Sequence, residues 1–131
     1  MPHSSSGAFD VPSHHSVGET INRLESLAAK HGLTIFARID FSGDAQRAGI
    51  SMPPMQMLLF GNPKAGTPLL IAAPRTGLDL PLKALAWEDA NGTVTLSFNA
   101  PEYIVTRHCL PRELLANIAG GSALMQKAAE P

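Results

Sequence analysis

One cysteine, Cys109, is all the sequence contains, so no disulfide can form within the chain, and a single thiol fits a reducing, cytoplasmic setting. Charge is scarce too. Only 16% of residues are charged, ten basic and eleven acidic, scattered without blocks; the net charge of -1 leaves no electrostatic footprint for a polyanion, and no nucleic-acid partner is expected. Apolar runs stay short of the ~20 residues that cross a bilayer, so no membrane partner is expected either. The opening MPHSSSGAFDVPSHHS has neither the basic cluster nor the apolar core of a secretory signal. C-x-x-C and H-E-x-x-H spacings are missing, which removes the usual case for a metal, and His14 and His15 read as surface or loop residues.

What is present suits one domain. Apolar residues make up 44% of 131, enough for a chain of this size to bury roughly two thirds of its unfolded surface. With so few charges to cover the outside, self-association is expected, because exposed apolar area is usually hidden in an interface. Residues 1–7 are small and polar and read as a flexible arm; residues 8–131 read as a single domain.

Hydrophobic spacing then gives the elements. After a short strand around Ala8 to Val11, Ser16 and Glu19 form a capping box, followed by Val17, Ile21, Leu24, Leu27 and Ala28 at helical spacing. LTIFARIDF alternates as a half-buried strand with Leu33, Ile35, Ala37, Ile39 and Phe41 on one face, Phe36 being the exception. A short helix opened by Ser42 or Asp44 and closed by Gly49, a strand MQMLLF and a helix ending before Pro74 come next. KALAWEDANGTVTLSF is a hairpin around Asn91-Gly92, with Asp89 and Ala90 as possible extra loop residues. PEYIVTRHC and PRELLANIAG open on prolines as helices; Gly120-Gly121 is expected to end the second, leaving SALMQKAAE as a weak last helix that covers a sheet edge or frays. This order predicts an α+β two-layer sandwich, an antiparallel sheet with helices on one face.

The run FGNPKAGTPLL, followed by GLDLPLKALAWED, NG, LSFNAPEY and RH, resembles the domain-of-unknown-function family 302 (DUF302), of the TT1751-like superfamily, from about Val11 through Leu110. The resemblance implies a compact α+β domain of TBP-like layout that assembles as a homodimer, and it implies no established activity or cofactor. Related sequences often carry histidine after the Ile-Asp step, where Phe41 stands here.

The turn GNPKAGT deserves a functional test of its own. A phosphate-binding P-loop needs its lysine directly after the second glycine; here Lys64 precedes it, so that reading fails. What survives is a helix start, with Asn62 as cap and Pro63 at the first position, whose free N–H groups, with Lys64 and Thr67, offer donors to a small polar or anionic ligand. Lys83 and Arg75 flank the GLDLP turn and are placed near the same cleft. Catalytic residues cannot be assigned, but an alternative is a small enzyme in which Asp40, Lys64 and His108 supply acid–base groups there. Arg107, His108 and Cys109 form a chemically suggestive cluster, although adjacent helical residues point apart. The bland readings are that Asp40 caps a helix, that Asn62 serves architecture alone, and that Met52, Met55 and Met57 fill core or interface space.

Overall fold

The computed structural model describes residues 7–131. Of the expected arm, only Gly7 falls among them. It is buried at a φ of +88°, its carbonyl accepts from the Ala100 amide at 2.8 Å, and a Cβ at this position would lie 2.3 Å from Tyr103 Cδ1.

Five strands form one sheet in the order β1-β5-β4-β3-β2, antiparallel at every pairing: β1 (Ala8–Ser13), β2 (Thr34–Asp40), β3 (Met55–Gly61), β4 (Leu82–Glu88) and β5 (Val94–Asn99). Strands β2 to β5 are laid down in sequence order, and β1 adds on beyond β5. Helix α1 (Val17–Lys30) therefore crosses the sheet from one edge to the other, over the same face on which the last helix, α5 (Leu115–Ala129), packs beside it. The result is the α+β sandwich that the element order predicts.

Strict alternation explains why the helices gather on that face. Leu58 and Phe60, Ala84 and Ala86, and Val94, Leu96 and Phe98 all turn inward and are buried, meeting Val17, Ile21, Leu24 and Ala28 of α1 and Leu124, Met125, Ala128 and Ala129 of α5. Alanines on the central strand β4 let the helices approach closely. A second, smaller core joins Leu69 of α3 (Pro63–Ala72), Ile104 and Val105 of α4 (Pro101–Arg107), Leu110, and Ile118 of α5.

Three local readings of the sequence are corrected. The alternation assumed through β2 is broken by a β-bulge at Phe36: Ile35 pairs opposite Phe60 and Arg38 opposite Leu58, so Ile35 and Arg38 share the helix face while Ala37 and Ile39 lie on the other. Arg38 is kept there by bonds to Gln56, Asn22 and the Gly18 carbonyl. The pair Gly120-Gly121 does not end a helix; α5 runs through it, and Gly121 packs against the Leu82 side chain of β4, a Cβ there falling 2.5 Å from Leu82 Cδ1. SALMQKAAE is accordingly core, not a fraying cover. The short helix α2 (Phe41–Arg47) is opened by Asp40 rather than by Ser42 or Asp44.

Two helix starts match their sequence signals closely. Ser16 caps α1 by accepting from the Glu19 amide at 3.1 Å, and Asn62 caps α3 by accepting from the Lys64 amide at 3.0 Å. The hairpin loop is the longer variant. Asp89 Oδ1 accepts from the amides of Asn91 and Thr93, which pre-forms the turn before Gly92 takes a φ of +81°.

Truncating Phe60 removes a ring from the centre of the inner face; Phe60→Ala is expected to lower unfolding free energy by about 3–5 kcal/mol in a urea titration. Exposed Ile50→Ala should change it by under about 0.5 kcal/mol. Equal effects would contradict this placement of the core.

Candidate functional site

A cleft of about 300 Å³ opens at the end of the sheet where β3 hands over to α3. Its floor is Gly61, Pro81 and Leu82 at the strand ends, one wall is Gly66, Thr67 and Leu70 of α3, and the far wall is Asn117 and Ile118 of α5. Phe36, thrown outward by the bulge, and Gly77 and Leu80 of the loop before β4 complete the rim. The Leu80–Pro81 peptide bond in that loop is cis. Asn117 Nδ2 donates to the Ala65 carbonyl at 2.9 Å, which fixes α5 to the first turn of α3 and so sets the width of the opening.

The wall is chiefly apolar. No titratable side chain is among the residues that line it. Three polar side chains do, and each is already engaged: Asn62 Oδ1 by the Lys64 amide, Thr67 by its own hydroxyl donating to the Pro63 carbonyl at 2.6 Å, and Asn117 by its bond to Ala65. The amide groups of the helix start are engaged as well. Beyond Pro63, which has none, the amides of Ala65 and Gly66 donate to the Asn62 carbonyl and that of Lys64 to the Asn62 side chain. The GNPKAGT turn is thus a self-satisfied helix cap whose outer side forms a ligand-sized wall.

Of the residues singled out in the sequence, Asn62 and Thr67 line this cleft. Lys64 sits on the same helix turn but points to solvent. Lys83 reaches back from β4 to donate to the Pro81 carbonyl at 3.2 Å, and its register opposite Leu59 puts it on the helix-free face of the sheet. Arg107 and His108 do meet, but on a third residue: Asp79 Oδ2 accepts from Arg107 at 2.9 Å and lies 2.6 Å from His108 Nε2, with the Asp79 and His108 side chains only 10% and 7% exposed. This clasp ties the end of α4 to the loop that supplies Gly77 and Leu80, so it supports the rim from behind. Asp79 was hidden in the GLDLP turn; a lone acid between leucines carries no signal until the fold brings cations to it. Cys109, next along, is exposed with a φ of +51°.

Asp40 lies elsewhere. Phe36 on the cleft rim is four residues from Asp40 along β2, and Gly61 is five residues along β3 from Gln56, which Asp40 faces, so about 13–17 Å of extended strand separates Asp40 from the cleft. It borders a shallow, more polar depression of about 480 Å³ with Ser42, Gln46 and Met52. There its carboxylate caps α2, accepting from the Gly43 amide and the Ser42 hydroxyl, both at 2.9 Å. The Gly43 amide foremost, then Ser42, hold the exposed Asp40 carboxyl below its ordinary value of 3.8; a slight loss of hydration opposes this, and Arg47 and Arg38 add attraction. Asp40, Lys64 and His108 therefore do not converge on one cavity. Among the described residues no group of three or more His, Cys, Asp or Glu side chains could hold a metal ion.

Residues 9–128 match the family model described as "Domain of unknown function DUF302". The crystal structure of an uncharacterized conserved protein DUF302 from Bacillus stearothermophilus has the same fold, with a TM-score of 0.80 over 95% of this chain and 99% of that one, at 23% identity. Two further relatives are closer in sequence. The chain is 45% identical over 105 residues to the protein named "Fluoride-specific ion channel FluC 1" of Brucella suis, covering 80% of this chain and 41% of that one. An equal identity is found to "Fluoride-specific ion channel FluC 2" of Brucella melitensis, covering 80% and 39%. The chain spans about two fifths of the length of these curated relatives. No helix among the described residues is long and apolar enough to cross a membrane.

Because the folded-state carboxyl of Asp40 is depressed, its contribution to stability is complete above 3.8 and is lost as pH falls through the lower folded value. Asp40→Ala should therefore melt below wild type at neutral pH, with the gap narrowing in melts run progressively below pH 3.8. A gap independent of pH would show that the cap is not electrostatic. Asn62→Ala, by contrast, is expected to cost about 1 kcal/mol at any pH.

Proposed function

The chain belongs to the DUF302 family, and from that membership and the shape of its cleft we propose that it is a non-enzymatic binding module for a small, mostly apolar molecule. The observation that carries this is the cleft lining: apolar walls, a few engaged amides and hydroxyls, and no acid or base to move a proton. Its volume of about 300 Å³ suits a ligand of one or two rings or a short aliphatic chain. The second donors and acceptors of Asn62 and Asn117 supply orientation, a small polar contribution on an apolar grip. An enzyme using Asp40, Lys64 and His108 is disfavoured by their separation, and a bare anion finds neither a free amide nor a cation inside the cleft.

The Brucella relatives place the same kind of segment within longer polypeptides named as fluoride-specific ion channels. We read this chain as a cytoplasmic companion module working beside such a channel, sensing a small metabolite rather than fluoride itself. Its single exposed thiol fits a reducing compartment.

Self-association is part of the same reading. The helix-free face of the sheet carries Met55 and Trp87 opposite one another, with Met57 opposite Leu85 and beside Ile39, a half-exposed apolar surface on one side of the strands. Flexible thioethers around an aromatic ring are suited to an isologous homodimer seam. Sedimentation equilibrium at micromolar concentration should show twice the 13.9 kDa chain mass, and Met57→Asp should halve it. A wild-type species at 13.9 kDa would remove the dimer.

Ligand binding has a variant that separates it from folding. A Cβ at Gly66 meets nothing nearer than Leu80 Cδ1 at 4.0 Å, so Gly66→Leu fills the cleft while gaining helix propensity. We expect indole-sized and short aliphatic probes to shift the amide resonances of Gly61, Gly66 and Gly77 in the parent protein. Gly66→Leu should melt at least as high as the parent and lose those shifts. Probes that shift nothing, or that act equally on the filled variant, would overturn the assignment.

A further inference from the structure

We propose that the outer face of α3 and the 3-10 turn that follows it (Pro74–Leu78) dock on the surface of an anionic lipid bilayer. Helix α3 leaves two of its three large aliphatic side chains exposed. α3 reads PKAGTPLLIA, with one charge, and only Leu69 is buried. Leu70 is 36% exposed and Ile71 77%, and Leu78 of the following turn is 62% exposed. Phe36 stands beside them on the cleft rim at 50% exposure. Leu70 and Phe36 share the mouth of the cleft, and Gly77 packs near Leu70, a Cβ there lying 3.7 Å from Leu70 Cδ2; Ile71 and Leu78 follow Leu70 and Gly77 in the chain and stand exposed beside this edge.

Charge decides what covers the patch. Ile71 lies two helical turns after Lys64 and so on the same stripe of α3, while Arg75 follows in the turn. Between Pro63 and Leu78 there is no acidic residue, and among the described residues neither Lys64 nor Arg75 is drawn into an ion pair. The next acid, Asp79, is held by Arg107 and His108. A second copy related by a two-fold axis would bring this basic face against its own image, which like-charge repulsion disfavours. An anionic headgroup layer attracts the two cations, and Leu70, Ile71 and Leu78 enter its apolar boundary. No helix among the described residues can cross a bilayer, and docking on its surface needs none. Ile71 and Leu78 lie outside the cleft lining and are free to insert whether or not the cleft is occupied.

The test is co-sedimentation of the full chain with vesicles of pure phosphatidylcholine and of phosphatidylcholine mixed with phosphatidylglycerol. Binding is expected on the anionic vesicles only, falling as salt is raised. The double variant Ile71→Asp, Leu78→Asp, altered at exposed positions, should keep the parent melting temperature and lose roughly tenfold or more of that binding. Lys64→Glu with Arg75→Glu should lose a comparable amount. Binding to neither vesicle type, equal binding to both, or unchanged binding by either double variant would overturn the proposal. So would a parent oligomer that the Ile71, Leu78 variant dissociates without any vesicle binding, which would make the patch a seam between copies.

Discussion

The close approach of α5 to the sheet at Gly121 and Leu82 is the contact on which the rest of the molecule depends. Toward its C-terminal end α5 supplies Leu124, Met125, Ala128 and Ala129 to the core under α1; toward its start Ile118 joins the smaller core with Leu69, Ile104 and Val105. Asn117 and Ile118 are also the far wall of the cleft. A side chain at position 121 would push Leu82 away, and Leu82 belongs to both cores and to the cleft floor. Core packing and the dimensions of the candidate site are therefore set by one helix-to-strand spacing, which a missing methyl group permits.

The same contact marks the limit of what could be read in advance. Amphipathic α1 was legible because its stripe, its capping Ser16 and its terminal Gly32 agree with one another. The strands were legible from partial alternation in LTIFARIDF, from the apolar run MQMLLF after its prolines and from the Asn91-Gly92 turn, and the α+β layering from their order. Gly120-Gly121 was misread because locally a glycine pair signals a stop; the approach of the Leu82 side chain to Gly121, which only the fold brings about, favours a small residue there inside a continuing helix. The bulge at Phe36 was likewise visible as an irregularity in LTIFARIDF, but its effect on facing needed the partner strand.

The site divides along similar lines. Asn62 and Pro63 could be assigned their capping role from type and order, and the cleft does form beside them. Distances between Asp40, Lys64 and His108 could not be, because they follow from strand direction and register. Asp79 escaped notice for the same reason: nothing in GLDLP tells that Arg107 and His108, 28 and 29 positions away, will close on it. Local rules find groups that act within one element, whereas groups that act across elements emerge only with topology. That is why the apolar character of the cleft, contributed by four separate segments, could not be foreseen.

Arg23 of α1 donates from Nε to the Ala128 carbonyl at 2.9 Å, and from its outer nitrogen to the carbonyls of Lys127 and Glu130, while the His14 amide donates to Ala129. The last carbonyls of a helix are ordinarily left to water, and its final turn opens and closes on a fast timescale. Here they are clamped by a guanidinium from the neighbouring helix and by the chain leaving β1. The final turn of α5 should consequently hold its amide protons against solvent exchange about as long as the central strands do, making the tail of this fold a part of its most slowly opening unit.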